Sequence, residues 1–179
     1  GLHMTTIRAF LQFGARYYTG PVDLMRSVNR QLTKDSYETG RFTTAFFLEI
    51  DLGNRSMKWI RSGHEPAFFY SPAKKACEKL IGKGMALGVD ADAPIIENEM
   101  KEIDSGSIVV IYSDGIKESR DSTGQMYGEK RMTDMIEKLA DQPAASIKAG
   151  LEADLKSFTG DAPLEDDISL VIVKFLSPA

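Results

Sequence analysis

Two short acidic stretches carry the side chains best suited to chemistry. The first lies in IVVIYSDGIKES (108–119), where an unbroken apolar run stops at Asp114 and Gly115. The second lies in EDDISLVIVKF (165–175), where Asp166 and Asp167 stand just before another apolar run. If the two runs are antiparallel strands of one sheet, the end of the first lies beside the start of the second. The carboxylates of Asp114, Asp166 and Asp167 then collect at one sheet edge. Like charges gathered in this way are unfavourable unless a cation sits between them. Carboxylates with no His or Cys beside them suit a hard cation such as Mg²⁺ or Mn²⁺. The same residues have a plainer reading. Asp-Gly between strands is a strong signal for a primed hairpin turn, and an Asp pair before a strand reads as a turn or a cap. From these residues alone both readings stand.

The elements that must position the acids follow from the apolar periodicity. Leu2, Ile7, Phe10, Leu11 and Tyr17 fall near helical spacing. That helix opens without a cap, and its start reads either as the middle of a native helix or as a tag remnant, Gly-Leu-His-Met. GPVDLMRSVNRQLTKD (20–35) reads as a second helix, with Pro21 in its first turn and Asp23 near its positive end. Its apolar face is Val22, Leu24, Met25, Val28 and Leu32. The period then changes to that of strands. FTTAFFLEI, SMKWIRS and AFFY read as three strands of a meander, split by LGN and GHEP. AKKACEKLIGKGMALGVDADAP (73–94) reads mainly as loop, and IIENEMKEID as an edge strand. SGSIVVIYSDG is the most buried strand. YGEKRMTDMIEKLAD is a helix with Met132, Met135, Ile136 and Leu139 inward. QPAASIKAGLEADLKSFTG is another helix, and ISLVIVKF closes the chain as a strand.

Bulk properties exclude several function classes. The 179 residues, 42% hydrophobic and 27% charged, suit one soluble domain spanning 1–179. A net charge of -4 gives no electrostatic basis for binding nucleic acid or an anionic membrane. No run approaches the roughly 18 apolar residues of a membrane span. A single cysteine, Cys77, rules out an internal disulfide, reads as an ordinary thiol, and makes a reducing cytoplasm the expected compartment.

Several stretches match one family in order. FTTAFFLEIDLGNRSMKWIRSGHEPAFFY resembles the segment of SpoIIE/RsbU-type phosphatases that ends in an Ala-Gly-His-x-Pro pattern. GMALGV resembles that family's Gly-x-x-Leu-Gly element. SGSIVVIYSDGIKESRDSTGQMYGEKRM is similar to its Tyr-Thr-Asp-Gly run with the downstream Gly-x-x-Arg. EDDISLVIV resembles its closing Asp-Asp strand. The likeness covers most of the chain from Arg41 onward.

The resemblance implies an α+β fold of the metal-dependent protein phosphatase (PPM) type, an antiparallel β-sandwich flanked by helices. It implies hydrolysis of phosphoserine or phosphothreonine by water activated on a pair of Mn²⁺ or Mg²⁺ ions. It further implies a phosphorylated protein substrate in bacterial signalling, an anti-sigma-factor antagonist in the typical case. Carried over residue by residue, Asp114 and Asp166 match metal ligands, and Asp167 stands beside them in a supporting position. Gly115 permits the turn. His64 matches the family's Gly-His position and is expected to satisfy backbone groups at a bend. Asn29 is expected to make a structural hydrogen bond. Glu118 reads either as orienting the Asp114 loop or as an exposed turn residue.

One departure stands out. The family's early metal-bridging Asp, in a Gly-Asp…Gly-His-Gly motif, does not occur in this sequence. The expectation is therefore a C-terminal part of a larger protein, with half a metal site, poor activity and an exposed sheet edge that favours a homodimer. The alternative is a phosphatase-like binding module without catalysis.

Overall fold

A computed structural model of the chain describes residues 2–37, 40–163 and 165–177. Two compact units emerge, Gly1–His64 with Ile81–Lys101, and Glu65–Leu80 with Glu102–Ala179. Each has its own antiparallel sheet and its own core.

The first unit opens with helices α1 (Leu2–Gly14) and α2 (Pro21–Ser36). Pro21 occupies the first turn of α2, where its missing N–H costs nothing, and Asp23 lies at the positive end. Leu24, Met25, Val28 and Leu32 recur at helical spacing and are all buried. They pack with Ile7 of α1, Ile60 and Leu87, while Val22 is partly buried against the same cluster. Tyr17 departs from expectation: α1 ends at Gly14, so the ring falls beyond the inner stripe and is 68% exposed. The Leu2 side chain lies outside the described residues.

Strands β1 (Ala45–Asp51), β2 (Ser56–Ser62) and β5 (Glu97–Met100) form the first sheet in the order β1-β2-β5. The turn from β1 to β2 is built by Asp51, whose carboxylate accepts the Asn54 backbone N–H at 3.0 Å and its side-chain amide at 2.7 Å. The expected three-strand meander stops there. The strand after β2 pairs in the other sheet, and the break falls at Gly63, which takes φ +69°.

The second sheet has the order β4-β3-β6-β7, from β3 (Ala67–Ser71), β4 (Ala76–Leu80), β6 (Ile108–Tyr112) and β7 (Leu170–Lys174). β4 corrects the loop expected over 73–94. Its short sequence ACEKL, in which only Leu80 is buried, hid the strand, but Lys75 at φ 51° closes a tight turn and pairs Ser71 with Ala76. Central β6 is almost wholly buried. β7 ends the sheet order and is less buried than its apolar sequence suggests, with Val171 52% exposed.

Helices α3 (Asp114–Glu118), α4 (Gly128–Lys138) and α5 (Ala144–Thr159) complete this unit. Met132 and Ile136 of α4 and Ile147, Leu151 and Leu155 of α5 pack with Phe68, Val110 and Tyr112 in one cluster. Met135 and Leu139 are partly buried against it, as the spacing predicts. Phe68 stacks on Tyr112 with centroids 5.2 Å apart. Gly160, at φ 57°, ends α5 in the left-handed region that glycine adopts freely.

Candidate metal centre

The β6–β7 register fixes the acidic edge. Tyr112 pairs with Leu170, so the residues after β6 lie beside those before β7, as the antiparallel reading requires. Ser113 stitches the two segments together. Its backbone N–H donates to the Ser169 carbonyl at 3.0 Å, and its hydroxyl donates to the Asp167 carbonyl at 3.0 Å while accepting from the Ser169 N–H at 2.9 Å. Sequence reasoning missed Ser113. The available signal was a small hydroxyl residue directly between a buried strand and Asp-Gly.

Asp114 opens α3, and this corrects the hairpin reading of Asp-Gly. Neither Asp114 nor Gly115 has a positive φ, as a primed turn demands, and the chain enters a helical turn instead. Gly115 is needed for close approach. A Cβ placed on it would stand 2.6 Å from the Asp167 carbonyl oxygen and 3.5 Å from Asp166 Cβ. The Asp114 and Asp166 segments meet at a position that only a residue without a side chain can fill.

Each carboxylate is engaged by its own neighbour. Asp114 accepts the Gly115 N–H at 3.1 Å, and Asp166 accepts the Asp167 N–H at 2.7 Å. Asp167 works through its backbone, with the carbonyl serving Ser113 and the N–H serving Asp166. The three backbones gather as expected, but the three carboxylates do not. Among the described residues no group of three or more His, Cys, Asp or Glu side chains is placed to hold a metal ion. The side chains of Asp114 and Asp166 each accept the next peptide N–H.

These residues fit a hard divalent cation in donor chemistry. Asp114 and Asp166 are exposed, offer oxygen only, and among the described residues neither is neutralised by a Lys or Arg. A hard cation takes six or more oxygen ligands, so two carboxylates supply part of such a shell.

Behind α3 lies a set of charged groups. Lys117 Nζ is 3.1 Å from Glu65 and 3.8 Å from Glu118, while Lys79 pairs with Glu129 at 2.6 Å. The Tyr112 hydroxyl donates to Glu129 at 3.4 Å. Burial, reinforced by the negative charges of Glu129 and Glu65, pushes the Tyr112 hydroxyl well above the ordinary tyrosine range. Burial disfavours the Lys117 ammonium, but the hydrogen bond and charge of Glu65, then Glu118 and Glu129, outweigh it and raise the pKa. Glu118 is itself exposed and reaches Lys117 only at the longer distance.

His64, Asn29 and Cys77 lie elsewhere. His64 belongs to the first unit, where its Nδ1 is 3.2 Å from the Thr44 hydroxyl and its carbonyl accepts from Arg61 at 2.7 Å. Its ring thus bonds a side chain, where a backbone partner was expected. Asn29, 1% exposed, makes the structural bonds expected of it: its amide donates to the Asp90 carbonyl at 2.7 Å and its oxygen accepts the Gly88 N–H at 2.9 Å. It thereby braces the loop that carries GMALGV. Cys77 is half-buried in β4, and burial, with Glu137 nearby, pushes its thiol up to about 12. Such a thiol is inert at neutral pH.

The family model of Stage II sporulation protein E (SpoIIE) matches residues 1–176. The chain belongs to the SpoIIE family. It is 23% identical to the phosphoserine phosphatase RsbU of Bacillus subtilis (strain 168), over 86% of this chain and 45% of RsbU. The SiaA-PP2C domain of Pseudomonas aeruginosa superposes with a TM-score of 0.83 at 18% identity, over 97% of this chain and 69% of that one. RsbX in complex with magnesium superposes with a TM-score of 0.62 at 16% identity, over 92% of this chain and 70% of that one. These likenesses show the fold. The SpoIIE-family chain spans less than half the length of RsbU. Among the described residues no helix is long and apolar enough to cross a membrane.

Proposed function

We infer that this SpoIIE-family chain is the catalytic part of a metal-dependent protein phosphatase that removes phosphate from phosphoserine or phosphothreonine in a bacterial signalling protein. The observation that carries this reading is the stitch at Ser113 and Gly115, which brings the exposed acids Asp114 and Asp166 to one sheet end. RsbU is named a phosphoserine phosphatase and RsbX was solved with magnesium, and both support the reading.

On this reading Asp114 and Asp166 hold Mn²⁺ or Mg²⁺, which supplies an activated water and charge neutralisation at the phosphate. Asp114 and Asp166 orient that charge, Gly115 lets their backbones meet, and Ser113 and the Asp167 backbone keep the two segments in register. Two carboxylates supply only part of the oxygen shell that a hard cation takes. The substrate is a phosphorylated anti-sigma-factor antagonist, and the reaction takes place in the cytoplasm. Among the described residues no strand pairs with the outer side of β7, which supports self-association into a homodimer. A clean monomer by light scattering would remove that last element.

A second reading is favoured by the missing third donor among the described residues: a phosphatase-like module that binds a partner without hydrolysis. Hydrolysis of a small phosphate ester with added Mn²⁺ separates the two, measured on this chain and on a version extended upstream in its gene. The phosphatase reading expects turnover from the extended chain, weak turnover from this one, and none from Asp114→Asn in either. Absence of turnover from both chains selects the binding module.

A further inference from the structure

The helix that carries Asp114 is too short to hold itself. α3 has five residues, and its N-cap Ser113 makes no side-chain capping bond. Isolated helices below about 12 residues are marginal in water. Three ties secure its inner side: the Gly115 approach to Asp167, burial of Ile116, and a 2.6 Å hydrogen bond from the Ser119 hydroxyl to the Gly115 carbonyl. A fourth tie has a different position. Lys117 lies three residues after Asp114, which puts it on the same helix face, one turn along. Its ammonium meets Glu65 at 3.1 Å, with the two side chains 24% and 26% exposed. A pair this sheltered is screened less than an ion pair in open solvent. Glu65 stands just before β3, which is pinned through Phe68–Tyr70 to β6, the strand leading into Asp114. The other charges near Lys117 are Glu118, exposed at 3.8 Å, and Glu129, which is taken up by Lys79.

Resting on the reading of Asp114 as a cation ligand, we propose that Glu65 and Lys117 form a positioning clamp: the pair fixes the turn that presents Asp114, and Glu65 neutralises an ammonium that would otherwise repel the cation. Neither residue touches the reacting atoms. The tie acts through Asp114, and the neutralisation acts on the field at the cation. The two roles separate by experiment, because Lys117→Met removes tie and charge together while Glu65→Gln removes the carboxylate charge and leaves the ammonium with only the exposed Glu118 at 3.8 Å.

The test compares the parent chain extended upstream with Glu65→Gln and Lys117→Met in two measurements. Amide hydrogen exchange reads the turn directly at the Ile116 and Ser119 amides, which donate to Ser113 and Ile116 carbonyls. Mn²⁺ affinity, measured with the metal alone, reads the cation site. Both substitutions are expected to quicken exchange at Ile116 and Ser119. Glu65→Gln is expected to weaken Mn²⁺ binding on the order of tenfold, the scale of losing a group that orients a ligand, and Lys117→Met by clearly less. Unchanged exchange in both variants overturns the clamp. Equal Mn²⁺ losses, or a larger loss in Lys117→Met, overturn the electrostatic role. A parent that binds no Mn²⁺ overturns both the reading of Asp114 and that electrostatic role, while the exchange result still decides the clamp.

Discussion

The Cβ that Gly115 lacks would stand 2.6 Å from the carbonyl oxygen of Asp167. That distance lies inside any tolerable contact with a backbone atom, so one of the two segments must shift to admit a side chain. Gly115→Ala is therefore expected to force the Asp114 and Asp166 segments apart. The cost of such overpacking is about 1–3 kcal/mol. A denaturant titration reads the stability loss, and Mn²⁺ binding reads the separation of the acids. A variant as stable as the parent would mean that the two segments do not meet this closely.

Ser113 makes the second predicted weak point. Ser113→Ala removes one hydroxyl that both donates to Asp167 and accepts from Ser169. Each hydrogen bond lost contributes about 0.5–1.5 kcal/mol. Faster amide exchange is expected at Ser169, with the Ser113 N–H to Ser169 carbonyl bond left in place. Ser113→Thr keeps the hydroxyl and should retain most of the protection.

Asn29 anchors a loop in the other unit from a fully buried position. Asn29→Ala strands the Gly88 N–H and the Asp90 carbonyl at once. Each of these part-buried hydrogen bonds contributes about 0.5–1.5 kcal/mol. The expected outcome is a lower melting temperature together with faster proteolysis of the loop around Leu87–Asp92. Intact proteolytic resistance would contradict the brace.

Acid stability should depend on Asp154. Its carboxylate accepts two bonds from Arg131, at 2.7 and 2.9 Å, and one from the Tyr127 hydroxyl at 2.8 Å. The Arg131 hydrogen bond is the largest cause holding its pKa below the ordinary 3.8, against the opposing effect of burial. A group with a depressed folded pKa stabilises the fold above its unfolded pKa and loses that contribution as pH falls through the folded one. Stability measured from pH 6 downward should therefore decline below about pH 4. Asp154→Asn should lower stability at pH 6 and flatten that part of the profile. An unaltered acid limb would show that the Arg131–Asp154 pair contributes nothing.

Much of this arrangement is legible from sequence because it depends on local pattern. The apolar stripe of Met25, Val28 and Leu32 dictates α2, and the two runs ending and beginning at acids dictate the β6–β7 pairing. The same pattern drew attention to Asp114, Asp166 and Asp167, and the family resemblance set Asp114 and Asp166 apart as ligands. What escaped depends on tertiary approach. α3 is too short for any period to reveal it. β4 is a short mix of apolar and charged residues with no clear alternation, and its pairing with β3 is set by a turn at Lys75, a non-glycine residue in the left-handed region. Ser113 and the Glu65–Lys117 pair gain meaning only when residues 54 and 52 positions apart in the chain are brought within hydrogen-bond reach. The failure of three carboxylates to converge is likewise a matter of side-chain direction, which spacing does not encode.

The central claim is that Asp114 and Asp166 hold a divalent cation, and calorimetric titration of Mn²⁺ into the upstream-extended chain tests it most directly. The account predicts measurable binding by the parent and losses of at least about tenfold in both Asp114→Asn and Asp166→Asn, since each substitution removes a charged oxygen donor. Binding that persists unchanged in Asp114→Asn, or a parent that takes up no Mn²⁺, would contradict it and leave Asp114 as the residue that opens a short helix.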